Sequence, residues 1–511
     1  MQSYDAVVIG AGHNGLACAC YLARAGMTVL VVERNATIGG MTSTKELALA
    51  GYHTDVHASG YQLAALSSAA DELRLAVYGL ELIRPAVSLA KVFADERCLA
   101  IMARIEDTCA NLAQFSKRDA DTWRALFTGY LAQRDELRRE LESPPASPAT
   151  IEARLKREPG GVARIRFRAQ SVRSWTTETF ESEEMRGLMA DFAAHAGFAP
   201  DDAGGAAFAF VFLSVIQDAG NRAVKGGMGR LPAALAACFT EAGGAIRTGA
   251  AVAAIRVDDG RANGVRLADG SEIATECVVS SAHPRHLVLD LLAEAALDPR
   301  ITAEMERYDL GASQMGIHLA LSAPATYAAG ATAAQATQVH VMPTTTAGLA
   351  DALCAVRAGR LPAEPPAFIV NEAAVDPGRV PEGRSSLKII LTAVPYDIDW
   401  GEARTRYASA VIERIATAHI PDLEQKIVGT AILSPVDYEA DVVSALHGTV
   451  THGAMVPYQQ GAMRPTLGLG QYRGPIRGLY LCGADSHPGP GVSMMPGRNA
   501  AQVIVGDLGR G

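Results

Sequence analysis

The sequence predicts an α/β protein made of two interleaved domains, and three separate segments carry this prediction. A glycine-rich loop joins an apolar strand to a helix within residues 4–25, and a second glycine-rich turn, a helix and an alternating meander occupy residues 225–284. The third segment, residues 478–503, places a buried strand and a loop rich in glycine and proline before the last helix. Strands that alternate with helices are typical of a domain built on a parallel sheet, and we expect the three segments to meet in one such sheet.

The composition is that of a globular protein and argues against a nucleic-acid partner. Of 511 residues, 49 % are hydrophobic and 20 % are charged, close to the average of soluble domains. The net charge of −9 does not provide the basic face that phosphate recognition requires. The eight cysteines include no CxxC pair, so we expect reduced thiols and no zinc site.

The amino-terminal residues and the apolar runs predict a cytoplasmic protein. Residues 1–5 lack the basic start and apolar core of a signal peptide. The longest apolar run, residues 203–216, is shorter than the roughly 20 residues that span a bilayer, and therefore predicts a core helix. Its three phenylalanines, Phe208, Phe210 and Phe212, leave open an apolar substrate or contact with a membrane surface.

The first glycine-rich loop has the spacing of a dinucleotide-binding turn. Residues 4–9 form an apolar, β-branched strand, and the loop that follows reads Gly10-Ala11-Gly12-His13-Asn14-Gly15. Gly10 permits the tight turn, Gly12 lets backbone N–H groups approach a pyrophosphate, and Gly15 allows close packing of the helix on the strand. The loop predicts an anionic ligand that is held by backbone groups.

Glu33 has the position of a ribose-binding carboxylate. Residues 28–32 form a second buried strand after Gly26, and Glu33 lies at its end, about 20 residues beyond the glycine loop. A carboxylate at this point accepts hydrogen bonds from a ribose 2′-hydroxyl, which favours an unphosphorylated adenine dinucleotide over NADP.

A second glycine pair after Glu33 makes the resemblance to a known family specific. The stretches GAGHNGL, ER at residues 33–34 and GGM at residues 39–41 resemble the flavin-containing oxidoreductases of the phytoene desaturase and carotene ketolase superfamily, including pyridine nucleotide-disulfide oxidoreductase-like relatives. The resemblance implies FAD and a glutathione-reductase-like fold, in which a FAD-binding Rossmann domain is interleaved with an α+β substrate domain. It implies these cofactor-binding residues in the first segment: Gly10, Gly12, His13, Asn14, Gly15, Glu33, Arg34, Gly39, Gly40 and Met41.

The other two segments resemble further parts of the same family. The GGMG turn at residues 226–229 and the hairpins after it are similar to the adenine-side meander, which implies that the backbone of Val252 contacts adenine. Residues 478–503 resemble the segment whose final helix begins near the flavin pyrimidine, which implies cofactor contacts from Gly483, Ala484, Gly491 and Val492. Three departures affect the expected site: Ala484 replaces an acidic residue, Pro490 replaces a glycine, and Met494 with Met495 offers an apolar surface that could line a substrate site.

These segments predict the domain organisation. The FAD-binding domain takes residues 1–65, 220–290 and 475–511. The substrate domain takes residues 66–219, which are largely helical in pattern, and residues 291–474, where strands alternate with helices. A proline-rich stretch at residues 143–148 ends the long helical pattern and is expected to be exposed.

Four side chains are the candidates for catalysis. Asp485 and His487 follow the carboxyl-terminal strand, Asp55 lies on a short predicted strand, and all three are acid–base candidates. Arg464 is a candidate for holding an anionic substrate group. His53 and His57 alternate with Asp55 along the strand, but no other ligand cluster accompanies them, so we predict no metal.

The resemblance implies a flavoenzyme that desaturates a largely apolar molecule, carotenoid-like or alicyclic, by hydride transfer to flavin N5. Amine oxidation, ketolation and redox-neutral isomerisation are the alternative reactions. A binding protein similar to the Rab GDP-dissociation inhibitors is the alternative from another class. Dioxygen or a quinone as electron acceptor, peripheral membrane contact and oligomers are all compatible with the sequence.

Overall fold

Five short parallel strands form the sheet that gathers the three glycine-rich segments. The computed structural model describes residues 3–510. The strand order across this sheet is Leu479–Leu481, Val278–Ser280, Ala6–Ile9, Val29–Val32, Ala245–Arg247. Strands from both ends and the middle of the chain are therefore hydrogen-bonded neighbours, and the prediction of an α/β fold around a Rossmann-type sheet is confirmed.

Both faces of the strands Ala6–Ile9 and Val29–Val32 are buried, which explains why these two strands are apolar throughout. Val8 and Val31 face a core shared with the helices, whereas Val7 and Leu30 face a separate core. That second core includes the antiparallel meander Val252–Asp258, Arg261–Leu267 and Glu272–Ala274. A strand that is covered on both faces shows no polar alternation.

Three helices cover the first face, and two of them meet through a glycine. The helices are His13–Arg24, Arg230–Glu241 and Met495–Asp507. A Cβ added at Gly497 would lie 2.1 Å from the carbonyl oxygen of Asn14, so the last helix approaches the first backbone to backbone. This contact places the start of the carboxyl-terminal helix beside the first glycine loop.

A seven-stranded, mostly antiparallel sheet forms the other half of the molecule. Its order is Ile427–Leu433, Ser313–Leu321, Ser385–Val394, Ala367–Val370, Ala336–Met342, Val87–Val92, Cys98–Met102. Val339 and Ile369 face one side of the sheet and pack in a core with the helix Trp400–Ala418. Their neighbours His340 and Phe368 are directly opposed in the register and face the other side, because side chains alternate along a strand.

Strands interrupt the helical pattern of residues 66–219. Strands Val87–Val92 and Cys98–Met102 leave it to join the seven-stranded sheet, where the first of them pairs in parallel with Ala336–Met342. The apolar periodicity of residues 103–141 belongs to two helices, Ile105–Leu112 and Lys117–Leu141. The break occurs because the Ser116 hydroxyl accepts the N–H of Asp119 and begins a new helix.

The remaining elements complete both halves. The other helices are Ala69–Glu72, Pro148–Leu155, Gly161–Ala169, Val172–Thr179, Glu183–His195, Gly205–Ala219, Pro284–His286, Pro299–Glu306, Ala331–Gln335, Thr346–Arg357, Glu372–Val375, Leu423–Lys426 and Pro435–Asp441. Two small ribbons pair Thr44–Glu46 with His53–Asp55 and Leu82–Ile83 with Ala223–Val224. None of the helices described within residues 3–510 combines the length and the apolar character needed to cross a bilayer.

We predict that Gly15→Ala destabilises the fold. The added Cβ would lie 2.2 Å from the carbonyl oxygen of Gly10, and a backbone atom inside the sheet–helix contact has little room to move. Overpacking of this kind costs about 1–3 kcal/mol, which should lower the thermal unfolding midpoint measured by circular dichroism.

Gly129→Ala is the matched control. Gly129 is an exposed helical residue whose Cβ would meet no atom within 4 Å, so alanine should stabilise that helix by about 1 kcal/mol. Equal unfolding midpoints for Gly15→Ala and the wild type would contradict the packing argument.

Candidate functional site

A cavity of about 410 Å³ starts at the first glycine loop and extends to the seven-stranded sheet. Fourteen of the fifteen cofactor-binding residues expected from sequence line it: Gly10, Gly12, His13, Asn14, Gly15, Glu33, Arg34, Gly40, Met41, Val252, Gly483, Ala484, Gly491 and Val492. Gly39 lies behind the lining, where its N–H donates to the Ala11 carbonyl at 2.9 Å. Residues from all three glycine-rich segments thus share one cavity.

The first glycine loop leaves open space where a diphosphate is expected. Gly10 has a φ of +98°, which turns the chain sharply out of the first strand. Gly12 precedes the first helical turn with φ −73° and ψ 168°, and no side chain from residues 3–510 caps the helix there. A Cβ added at Gly12 would meet no atom of the described residues within 4 Å. Free N–H groups and the helix dipole favour an anion in this space.

Glu33 has a structural role that sequence reasoning missed. Its Oε2 accepts the N–H of Ala11 at 2.8 Å and its Oε1 accepts the N–H of Asn35 at 2.9 Å. The carboxylate therefore fixes the glycine loop and its own strand end. A carboxylate offers about four lone-pair sites, so acceptance of ribose hydroxyls remains compatible with these two bonds.

The carboxyl-terminal segment reaches the cavity through backbone and small side chains. Gly483, Ala484, Gly491 and Val492 line it, as does Pro490. The expectation that Met494 and Met495 line the substrate site is wrong. Met494 is buried against the helices of the nucleotide-binding half and Met495 in a small cluster with Phe127, because the helix they open packs into the core.

Asp485 and His487 lie outside the cavity lining. Asp485 is fully buried, neither carboxylate oxygen has a hydrogen-bond partner among residues 3–510, and burial raises its pKa to about 7. The His487 Nε2 lies 3.2 Å from the Glu140 carbonyl, and burial lowers its pKa to about 4. Neither residue is among the described residues that line the cavity.

Arg464 is also behind the cavity wall, where it positions two lining loops. Its guanidinium donates to the carbonyls of Ala484 at 3.0 Å, Gln459 at 3.3 Å and Thr451 at 2.6 Å. Ala484 and Thr451 line the cavity on different segments. The Arg464 side chain is 1 % exposed. Its N–H groups donate to backbone carbonyls and are therefore not directed at an anionic substrate.

Asp55 belongs to a buried structural cluster. Its Oδ1 accepts from the Thr44 hydroxyl at 2.7 Å and from the N–H of Met228 at 2.8 Å, and it pairs with Arg379 at 3.0 Å. It thereby joins the Thr44–Glu46 ribbon to the GGMG turn. The alternating residues His53, Asp55 and His57 have different partners, since His57 Nε2 lies 2.8 Å from Asp441 Oδ2 and His53 is exposed beside Glu46.

The far half of the cavity is an aromatic and aliphatic chamber. Phe208, Phe212, Phe368, Val370 and Ile390 line it, and the rings of Phe208 and Phe212 are 5.6 Å apart. The aromatic pattern of residues 208–212 was the one sequence signal for this chamber. The strand residues were not identifiable, because their exposure to the cavity depends on the sheet register.

The described residues of the chamber half of the lining include no aspartate, glutamate, lysine or arginine. Glu33 is the one carboxylate in the cavity lining within the described residues, and it lies at the nucleotide end. Burial lowers the pKa of His195 to about 4 and that of His452 to about 3. Both imidazoles are therefore neutral at pH 7, and the chamber suits an uncharged ligand.

Buried polar atoms without partners show that the cavity fits a bound group. In the part of the chain that the structure describes, the Asn14 Oδ1 and His13 Nε2 atoms at the glycine loop and the His57 Nδ1 atom farther along lack hydrogen-bond partners. All three residues line the cavity. Buried polar groups are normally paired, so these atoms and the space at Gly12 fit the polar edge of a dinucleotide such as FAD.

Comparison with known proteins agrees with this interpretation. Residues 15–504 match the family described as flavin containing amine oxidoreductase. The chain is similar to pyridine nucleotide-disulfide oxidoreductase domain-containing protein 2 of Rattus norvegicus, at 28 % identity over 99 % of this chain and 94 % of the rat protein. It is similar to hydroxyneurosporene desaturase of Cereibacter sphaeroides, at 26 % identity over 98 % of this chain and 97 % of the desaturase. A solved oxidoreductase from Methanosarcina mazei shares the fold, with a TM-score of 0.64, 16 % identity and coverage of 98 % and 99 %.

We predict that Gly12→Ala weakens FAD binding and leaves the fold intact. The backbone angles suit alanine and the methyl group meets no protein atom, but it fills the space expected for the diphosphate. An inserted methyl in a close contact costs about 1–3 kcal/mol, so the dissociation constant, measured by quenching of FAD fluorescence, should rise about tenfold or more. Gly129→Ala should bind FAD like the wild type, and unchanged affinity in Gly12→Ala would refute this placement.

We predict that Asp485→Asn changes the pH dependence of stability. Burial raises the pKa of Asp485 from 3.8 to about 7, so the folded state holds this proton more tightly than the unfolded state. Its contribution is full below pH 3.8 and is lost as the pH rises to about 7. Between these values the free energy of unfolding should fall less steeply in Asp485→Asn than in the wild type.

The comparison requires a control for general charge effects. Asp259 is fully exposed, and Asp259→Asn should retain the wild-type slope. Parallel pH profiles for Asp485→Asn and the wild type, from urea unfolding, would show that Asp485 does not hold a proton in the folded state.

Proposed function

The chain belongs to the flavin-containing amine oxidoreductase family, and we propose that it is an FAD-dependent dehydrogenase of a neutral, largely apolar organic molecule. The observation that supports this most is a single cavity that joins the glycine-rich nucleotide end to an uncharged aromatic chamber. An oxidoreductase with FAD follows from the family. The substrate class and the reaction are the proposal.

The lining of the chamber supports an uncharged substrate. Phe212 and Phe368 supply apolar surface, and among residues 3–510 this half of the lining lacks the carboxylates and protonated histidines that would bind an ammonium or a carboxylate group. Burial of apolar area is then the main source of affinity. The names of two relatives point to the same class: hydroxyneurosporene desaturase, and the all-trans-zeta-carotene desaturase of Myxococcus xanthus at 24 % identity.

The chain's own residues position the reactants and exclude water. When bound, FAD supplies the two-electron acceptor for oxidation of a C–H bond. Arg464 holds the Ala484 and Thr451 carbonyls and so joins the nucleotide wall to the chamber wall. Phe208 and Phe212 limit the water that can enter. Burial lowers the pKa of His195 to about 4 and that of His452 to about 3, so both imidazoles are weak proton acceptors at neutral pH.

Product mass distinguishes this reaction from its alternatives. Purified protein should carry FAD, and a cyclic monoterpene or a carotenoid added under anaerobic conditions should bleach the flavin and yield a product that has lost two hydrogens. A gain of oxygen would indicate ketolation, an unchanged mass isomerisation, and release of ammonia amine oxidation. Dioxygen and a quinone are the acceptors that we propose for reoxidation, and each can be added after the anaerobic step.

We predict that Phe212→Leu lowers kcat/KM about tenfold, because one or a few methylene-sized contacts in an apolar site are worth about 1–3 kcal/mol. The FAD content should not change. Phe210→Leu is the matched control: Phe210 is two residues away, but its ring packs on Phe167 and Trp175 and does not line the cavity. Equal kcat/KM values for the two variants would count against the chamber as the substrate site.

A further inference from the structure

A buried line of polar side chains leads from an ion pair to the chamber. Lys91 Nζ lies 2.6 Å from Asp191 Oδ2, and both side chains are buried. The same carboxylate oxygen lies 3.2 Å from Nδ1 of His340. His340 is on the sheet face that looks toward the chamber, opposite Phe368. A carboxylate accepts hydrogen bonds only, so the tautomer with its hydrogen on Nδ1 is the neutral form that suits the position beside Asp191.

The orientation of the next two amides follows from that tautomer. Gln338 Nε2 lies 2.9 Å from His340 Nε2 and donates to it in the tautomer that has its hydrogen on Nδ1. Gln338 Oε1 is left as an acceptor and takes a hydrogen from Asn221 Nδ2 at 3.2 Å. The orientation of the Gln338 amide thus follows from the His340 tautomer, and the orientation of the Asn221 amide follows from Gln338. The last atom of this series of hydrogen bonds is Asn221 Oδ1.

Asn221 Oδ1 is an acceptor without a donor. Asn221 is 2 % exposed and lines the cavity, and its Oδ1 has no hydrogen-bond partner in the described chain, residues 3–510. The amide cannot rotate to pair this oxygen without breaking the bond to Gln338. A buried acceptor that stays unpaired is unfavourable, so a ligand that supplies a donor gains a hydrogen bond at this point.

We propose that the substrate carries a neutral hydroxyl group that donates a hydrogen bond to Asn221 Oδ1. The ligand is therefore an alcohol on an apolar frame and not a plain hydrocarbon. An aliphatic amine would also offer N–H donors, but it is an ammonium ion at neutral pH, and the chamber half of the lining holds no carboxylate from the residues that the structure describes. This inference rests on the proposed function, since it assumes that the chamber is the substrate site.

Benzyl alcohol and toluene are the probes that test it. They have the same ring and differ in the hydroxyl, and their binding to the FAD-loaded protein can be measured by calorimetry without turnover. We expect benzyl alcohol to bind the wild type about fivefold more tightly than toluene, the ratio typical of one neutral hydrogen bond. In Asn221→Leu, with FAD content and unfolding midpoint checked, this ratio should fall to about one.

Phe212→Leu is the matched control in the same half of the cavity. It removes apolar contact from both probes, so both should bind more weakly while their ratio stays at the wild-type value. Equal affinities for the two probes in the wild type, a comparison that needs no variant, would overturn the inference. An unchanged preference in Asn221→Leu would also overturn it. Failure of the proposed function is distinguishable, because it would appear as absent FAD or absent turnover whatever the ratio.

Discussion

Pairing of three distant strands is the constraint on which the rest of this structure depends. Val278–Ser280 lies between Ala6–Ile9 and Leu479–Leu481, and the parallel registers align the ends of all three strands. The chain that leaves each strand therefore emerges at one edge of the sheet, where the N–H of Cys482 donates to the Ser280 carbonyl at 2.9 Å. Ligands of open α/β sheets bind at this edge. The glycine loops form a site because the sheet brings them there.

Local signals made the nucleotide half predictable. A strand, a glycine loop and a helix follow one another within about 20 residues near Gly10, so their geometry depends on neighbours in sequence. Glu33 could be located for the same reason. The partners of the four catalytic candidates could not be predicted, because Arg464 contacts carbonyls on other loops and Asp55 pairs with Arg379 across the fold. The type of a residue indicates which chemistry its side chain can perform. Only the long-range contacts determine whether its polar atoms are already bonded to other residues.

The seven-stranded sheet shows a second limit of sequence reasoning. Residues 336–342 are identifiable as a strand, yet the pattern does not tell which face of the strand borders a core and which borders a cavity. In the fold, Val339 and Val341 enter the core behind the sheet, while Gln338 and His340 face forward. The two sets exchange roles if the register shifts by one residue. The polar content of the chamber is therefore a property of sheet pairing.

The interleaved topology also has a consequence for synthesis of the chain. Val278–Ser280 pairs on one side with a strand made early and on the other with Leu479–Leu481, which leaves the ribosome only after the entire seven-stranded sheet. Until then one edge of a buried apolar strand has no hydrogen-bonding neighbour. Unprotected edges of this kind invite pairing with other chains. During synthesis of the residues between these two strands, the unpaired edge of Val278–Ser280 is thus a surface that chaperones could cover.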